Sequence, residues 1–411
     1  MNKFEEMVKL LNCFIVLVST QCRSGDLRIT VSCQETENIS VGDMPNFKNW
    51  LLLFFILLLG WNGLFAQSNI EKPNILWIVT EDNSKHYLNL YEEGGAVMPN
   101  VEALAKKGIV FNHAFSNAPV CSVARSTLIS GCYAPRTGVQ YHRRMKKAPM
   151  PDGLEMFPSY LRRAGYYTSN NAKEDYNFIK SEEVWDESSK KATYQNRKKG
   201  QPFFHVQNFG ITHEGRLHFS KEKMDKTTTE ASVDQMKPFP YHPNTPTYRY
   251  TNAWYRDLHQ NADVAIGKFL EKLEADGLMD NTIIFFYGDH GGVLPRSKGY
   301  IYESGLHVPL VVYVPEKWKH LTPIKAGTRN DAFVQFIDFA PTVLNLAGVD
   351  IPSQMDGKPF LGKGVSSADL AKRTVIPNKE NKCFFKKSQI KLSNSLLFRN
   401  CDWIIPALKR A

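Results

Sequence analysis

Ala118-Pro-Val-Cys-Ser-Val-Ala-Arg-Ser-Thr-Leu-Ile-Ser-Gly131 is the stretch on which the reading of this 411-residue chain turns. Cys121 opens an apolar-periodic run that predicts a helix over Ser122–Ile129, with Gly131 as its C-cap. Arg125 comes four residues after Cys121 and so shares its helix face. A helix N-terminus offers free N–H donors and the positive end of a macrodipole, which suits a nucleophile that attacks an anionic ester. Taken alone, the stretch describes a small buried cysteine ahead of a helix equally well.

Working outward, Asn74-Ile-Leu-Trp-Ile-Val-Thr80 is a continuous apolar run, the pattern of a strand buried on both faces, and it ends in Glu81-Asp82. Asn281 to Tyr287 repeats that pattern and ends in Gly288-Asp289-His290-Gly291. Open α/β sheets place ligands at the carboxyl ends of such strands. Pro202 to Phe209 is a third buried strand, followed by His213, and Ile109–Phe111 and Val308–Tyr313 read as two more. Helices are predicted over Met98–Gly108, Phe157–Ala164 and Tyr255–Leu278, and a helix-like run over Phe333–Gly348. Residues 180–200 read as a surface excursion, and 216–247 as a long polar loop. Strands alternating with helices predict a large, mostly parallel sheet covered on both faces.

The residue pattern from Cys121 resembles the signature of the type I, formylglycine-dependent sulfatases of the alkaline-phosphatase-like superfamily. That signature is Cys or Ser, any residue, Pro, Ser, Arg, then three residues, Leu or Ile, Thr or Ser, and Gly. Cys121, Arg125, Ile129, Ser130 and Gly131 match, whereas Val123 stands for the usual Pro and Ala124 for the usual Ser. The resemblance extends in order over about Pro73–Lys372 and implies an alkaline-phosphatase-like α/β fold, with the C-terminal subdomain missing or altered. It assigns Asp82, Asp289 and His290 to metal-ligand positions, together with Cys121 once modified, and Glu81 to the first position of the usual Asp-Asp pair. Lys173 matches the lysine of a Gly-Lys-x-His segment in which Ala172 and Asp175 here replace Gly and His. His213 and Lys298 match a histidine and a lysine that handle substrate, and His142 is a further substrate-binding candidate. Asp338 to Thr342 matches a structural helix.

The implied cofactors are one Ca2+ and a formylglycine made from Cys121 by a maturation enzyme that reads the Cys-Ser-Val-Ala-Arg pentapeptide. The implied chemistry follows from the charge on a sulfate monoester, whose outer oxygens repel nucleophiles until a cation and lysines neutralise them. One hydroxyl of the formylglycine hydrate attacks sulfur, and His213 or Lys298 protonates the leaving group. A sulfated carbohydrate or glycosaminoglycan fragment is the expected substrate. The Asn170-to-Asn177 segment resembles the branch of heparan N-sulfatases, which makes N-linked sulfate a candidate. Two other readings stay open: a phosphonate or phosphodiester hydrolase, and a glycan-binding relative without turnover if Cys121 stays unmodified.

Composition is that of an ordinary globular protein. The chain is 43% hydrophobic and 22% charged, with a net charge of +10. Most of that excess lies in residues 373–411, so no nucleic-acid partner is expected. Seven cysteines, only Cys121 and Cys132 of them in the patterned middle, do not make a disulfide-built protein. A helix from 121 with its cap at 131 puts those two beyond disulfide reach. Residues 50–59 form an apolar block flanked by Lys48 and Leu64-Phe-Ala66, the layout of a secretory signal rather than a membrane span. The expected organisation is therefore an over-extended upstream segment at 1–43, with translation starting at Met44, and a signal peptide at 44–66. A catalytic domain follows at 71–372 and a divergent basic tail, read as a truncation or frameshift, at 373–411. The product is expected to be exported to periplasm or exterior.

Overall fold

The computed structural model describes residues 71–373. The upstream segment, the signal-like block and all but the first residue of the basic tail lie outside the described residues. In chain order the described strands are β1 (Asn74–Thr80), β2 (Ile109–Phe115), β3 (Tyr167–Asn171), β4 (Glu187–Ser188), β5 (Phe203–Phe209), β6 (Thr282–Gly288), β7 (His307–Val308), β8 (Leu310–Tyr313) and β9 (Thr328–Gln335). They form one sheet in the order β4-β3-β5-β1-β6-β8-β2-β7, with β9 beside β2. From β4 to β6 every pairing is parallel. β8 runs antiparallel to both β6 and β2, so the sheet is mixed but mostly parallel, as expected.

Among the described helices that pack on it are α1 (Pro99–Lys107), α2 (Cys121–Ser130), α3 (Pro158–Arg163), α4 (Pro246–Ala275) and α5 (Phe339–Leu346). β1 shows why both faces are covered. Its seven residues are all buried, and its side chains alternate between the faces of the sheet. Ile75, Trp77 and Val79 join a cluster with Val123 and Leu128 of α2, Leu161 of α3 and Val343 and Leu344 of α5. Leu76 and Ile78 join the opposite cluster, with Val101 and Leu104 of α1 and Ile266 and Leu273 of α4. Trp77 packs on the rings of Phe157, Phe204, Tyr287 and Phe339 with centroids 5.0–5.8 Å apart. Burying such a side chain on both sides of one central strand contributes about 1.5–3 kcal/mol each.

Several boundaries move. α4 begins at Pro246 rather than Tyr255, because Pro occupies the first helical position and the Thr245 hydroxyl caps the turn. That helix consumes the end of the predicted long loop, which also holds a helical turn at Lys221–Lys226. The run from Phe333 is not helical at its start. Phe333 to Gln335 close β9, a 3-10 turn spans Phe336–Asp338, and α5 begins only at Phe339. Phe333, Val334 and Gln335 are held by pairing with His113, Ala114 and Phe115 of β2, a long-range contact that apolar spacing does not reveal. The 180–200 excursion is anchored to the sheet: β4 pairs with β3, and the Tyr194 ring is buried against Phe203. β3 itself, Tyr167 to Asn171, carries few apolar residues and had no strand signature.

Candidate active site

The register of β1 and β6 builds the site. Thr80 is the partner of Gly288, so the residues that follow each strand emerge side by side. The Asp289 N–H donates to the Thr80 carbonyl at 3.0 Å, and the Asp82 N–H donates to Asp289 Oδ1 at 2.9 Å. Asp82 holds a left-handed backbone, φ 55°, which turns its carboxylate back over the strand ends. Gly291 admits no side chain, since a Cβ there meets the Ser304 carbonyl oxygen at 2.1 Å. α2 delivers the third piece. It runs from Cys121 to Ser130, wholly buried, and ends at Gly131 in the left-handed conformation with its N–H on the Thr127 carbonyl, 2.9 Å away.

Cys121 is the first residue of that helix. Its Sγ lies 3.3 Å from His290 Nε2 and 3.9 Å from Asp82 Oδ1. Asp82, Cys121, Asp289 and His290, all buried, each place a donor atom within 4.8 Å of the others. Four of the five residues assigned to metal by resemblance thus come together. The fifth, Glu81, is turned elsewhere: its Oε2 is 2.5 Å from Lys173 Nζ and 3.8 Å from His213 Nε2. Glu81 thus holds Lys173 instead of joining the four.

Arg125 is one turn along α2, as the spacing requires. Its Nε and Nη2 both reach Asp289 Oδ2 at 3.1 Å, and Nη1 donates to Asn208 Oδ1 at 2.8 Å and the Lys173 carbonyl at 3.1 Å. Lys298 Nζ is 2.9 Å from both Asp82 Oδ2 and Glu214 Oε1. The Gly299 N–H donates to the Pro119 carbonyl at 3.0 Å, which ties the Lys298 loop to the turn before Cys121. A cleft of about 490 Å3 lined by Glu81, Lys173, Gly210, His213, Gly215 and Arg216 opens onto this group. His142 lies beside the first turn of α2. Its Nδ1 is 3.0 Å from Ser122 Oγ, which also accepts the Arg143 N–H at 2.8 Å. Asp175, in place of the expected histidine, pairs with Arg143 at 3.1 Å.

Charge dominates the electrostatics. Burial pushes the Asp82 and Asp289 carboxyls up, yet both are held below the ordinary range, Asp82 by His290 and Lys298 and Asp289 by His290 and Arg125. Burial works against the Lys298 ammonium, but Asp82 beside it raises its pKa. His213 is raised by its hydrogen bond with the Cys121 sulfur and by the Asp82 and Glu81 charges, against partial burial. Burial and Asp289 raise the Cys121 thiol, but hydrogen bonds to His213 and His290 prevail and leave it below its ordinary value.

The donor set fits a cation. His290 Nδ1 faces the Gly291 carbonyl at 2.9 Å, so Nδ1 carries the hydrogen, while Nε2 sits 2.8 Å from Asp82 Oδ1. A carboxylate only accepts, and that juxtaposition calls for a positive centre, a proton or a metal ion. Around it, Glu81, Asp82, Glu214 and Asp289 carry four negative charges against three on Arg125, Lys173 and Lys298. The identity of a metal is not set by these donors, since hard carboxylates and one imidazole are mixed.

Sequence reasoning missed Asn208, Glu214 and Tyr255. Asn208 anchors Arg125, Glu214 braces Lys298 and gives its N–H to Asp82 Oδ2 at 2.7 Å, and the Tyr255 hydroxyl donates to the Asp82 carbonyl. Asn208 had a signal, a polar residue at the end of a buried strand. Tyr255 had none, because only the packing of α4 brings it to β1.

Residues 73–349 match the family model described as Sulfatase. An "Ulvan-active sulfatase" from Formosa agariphila is 34% identical over 336 residues, covering 71% of this chain and 55% of that protein. Human "N-sulphoglucosamine sulphohydrolase" is 22% identical over 342 residues, covering 74% and 66%. Among solved structures, a phosphonate monoester hydrolase of Agrobacterium radiobacter shares the fold at a TM-score of 0.57 and 16% identity, over 70% of this chain and 76% of that one. The chain thus spans little more than half of the ulvan-active relative. With strands β1 and β6 delivering paired acidic ends to a helix-borne cysteine inside the matched region, the chain belongs to the sulfatase family.

Proposed function

We propose that this chain is the catalytic part of an exported sulfatase acting on sulfate esters of a sulfated polysaccharide. The observation that carries the proposal is the meeting of Asp82, Asp289 and His290 at Cys121 Sγ, with Lys298 on Asp82 and an open cleft lined by Lys173 and His213 beside them. The charge balance supports it. With histidines neutral the contacting groups sum to −1, so a divalent cation brings the site to +1, matched to the single charge of a sulfate monoester. When bound, Ca2+ held by Asp82, Asp289, His290 and the modified residue 121 would supply Lewis-acid polarisation, and the aldehyde hydrate made from Cys121 the attacking hydroxyl.

The chain's own side chains carry the remaining roles. Lys173 and Lys298 face the outer sulfate oxygens, their positions set by Glu81 and by Asp82 with Glu214. His213, raised in pKa and lining the cleft, holds the proton that the leaving oxygen takes. Arg125 positions Asp289, and Ser122 holds His142 and the Arg143 backbone beside the start of α2, where His142 is a candidate for substrate contact. The 34% relative favours a substrate of the ulvan kind; N-linked sulfate rests on the human relative at 22%. Export rests on the signal-like block at 44–66, and maturation on a modifying enzyme that accepts Val123 and Ala124.

Mass spectrometry of the peptide carrying residue 121, from protein made in its native host, is paired with turnover of an aryl sulfate and an aryl phosphonate. An aldehyde at 121 with faster sulfate than phosphonate hydrolysis is the expected result. An intact thiol leaves a glycan-binding protein without turnover, and a phosphonate preference leaves a phosphonate hydrolase; either overturns the proposal.

A further inference from the structure

His86, Glu303 and His307 lie outside the chemistry assigned above, and each brings one donor atom within 4.8 Å of the others. We propose that they form a second metal site, for Zn2+, which ties the segment after β1 to the segment that carries Lys298.

The hydrogen bonds behind each imidazole carry the argument. His86 Nδ1 is 3.1 Å from Glu92 Oε1, and His307 Nε2 is 2.8 Å from the Asn112 carbonyl oxygen. Both oxygens only accept, so both of those nitrogens bear hydrogen. The opposite nitrogens, His86 Nε2 and His307 Nδ1, then lie 3.8 and 2.8 Å from one atom, Glu303 Oε1. Two imidazole nitrogens converging on one carboxylate oxygen need a positive centre among them. Protons answer the carboxylate only if both rings are charged at once, two imidazolium ions against one Glu303 oxygen. A metal ion serves all three. A carboxylate or carbonyl accepting the far N–H of each imidazole is the usual support for a metal-bound histidine. His290 shows the same arrangement, with Nδ1 on a backbone carbonyl and Nε2 on an acidic oxygen.

The spacing agrees. Ligand atoms about 2.0–2.1 Å from a tetrahedral Zn2+ stand roughly 3.3 Å apart, and the two observed gaps, 2.8 and 3.8 Å, straddle that value. The Glu303 side chain is 55% exposed and free to adjust, while His307 is buried and His86 partly so. Two imidazoles and one carboxylate make a borderline donor set that suits Zn2+ better than Ca2+, with water in the fourth position. Glu303 and His307 are four residues apart, at the start and C-cap of a single helical turn, and His86 lies in a 3-10 turn capped by Ser84.

The test uses the full chain stripped with EDTA and titrated with Zn2+ alone, for wild type, His86→Gln and Glu303→Gln. Both positions are at least partly exposed and both substitutions keep the size of the group, and a far-UV spectrum and melting curve confirm the fold of each variant. The Asp82–Asp289 donors are untouched in all three proteins, so any Zn2+ they take is common to all. The expected result is one more bound Zn2+ in wild type than in either variant at micromolar metal, or an affinity at least tenfold weaker in both. Equal stoichiometry and affinity in the three proteins would make His307–Glu303 a plain ion pair and overturn the proposal. The readout is metal bound, so it stands or falls apart from sulfate hydrolysis.

Discussion

Replacing Arg125 with methionine keeps the length of the side chain and removes its charge. The Arg125 side chain is 6% exposed and Asp289 is 0% exposed, so neither charge has solvent to fall back on. Breaking a buried pair by removing one partner costs about 3–5 kcal/mol. The Asn208 Oδ1 and Lys173 carbonyl acceptors lose a donor as well, so the upper half of that range is expected. At about 2–4 °C per kcal/mol for a domain of this size, the melting temperature falls by roughly 10 °C. Urea denaturation of wild type, Arg125→Met, Asp289→Asn and the double variant gives the coupling between the two groups. If the ion pair organises the site, the double variant is less destabilised than the sum of the single ones by about 2 kcal/mol or more. Strictly additive losses, or an Arg125→Met protein melting within about 2 °C of wild type, would refute the reasoning.

Other consequences follow from named contacts. Trp77→Ala empties a space bounded by four aromatic rings and costs about 3–5 kcal/mol in urea denaturation. Burial holds the His205 imidazole at about 4, below its ordinary 6.5. As pH falls the unfolded chain takes the proton first, so this contribution is whole above 6.5 and is lost between 6.5 and 4, about 3 kcal/mol in all. His205→Gln, which retains a partner for Ser169, makes stability less steep in that window. Lys298→Met lowers kcat on an aryl sulfate by about 100- to 1000-fold, with a smaller effect on KM. Gly291→Ala sets a methyl against the Ser304 carbonyl and lowers both melting temperature and turnover.

What the residues determined alone is local. The apolar runs of β1 and β6 read as strands buried on both faces and are so, while β5 is buried over its first four residues, and Gly131 after an apolar-periodic run is a helix stop. Cys121 and Arg125 share a face of α2 because a helix turns every 3.6 residues. Tertiary structure decided the rest. β3 is polar and became a strand only because β5 offers it a ladder, and Phe333 to Gln335 left a helical pattern for pairing with β2. Glu81 and Asp82 are neighbours in sequence, yet one turns to Lys173 and the other to His290, Lys298 and Cys121. Charge partners came from distant loops, and no spacing along the chain encodes which of them a carboxylate meets.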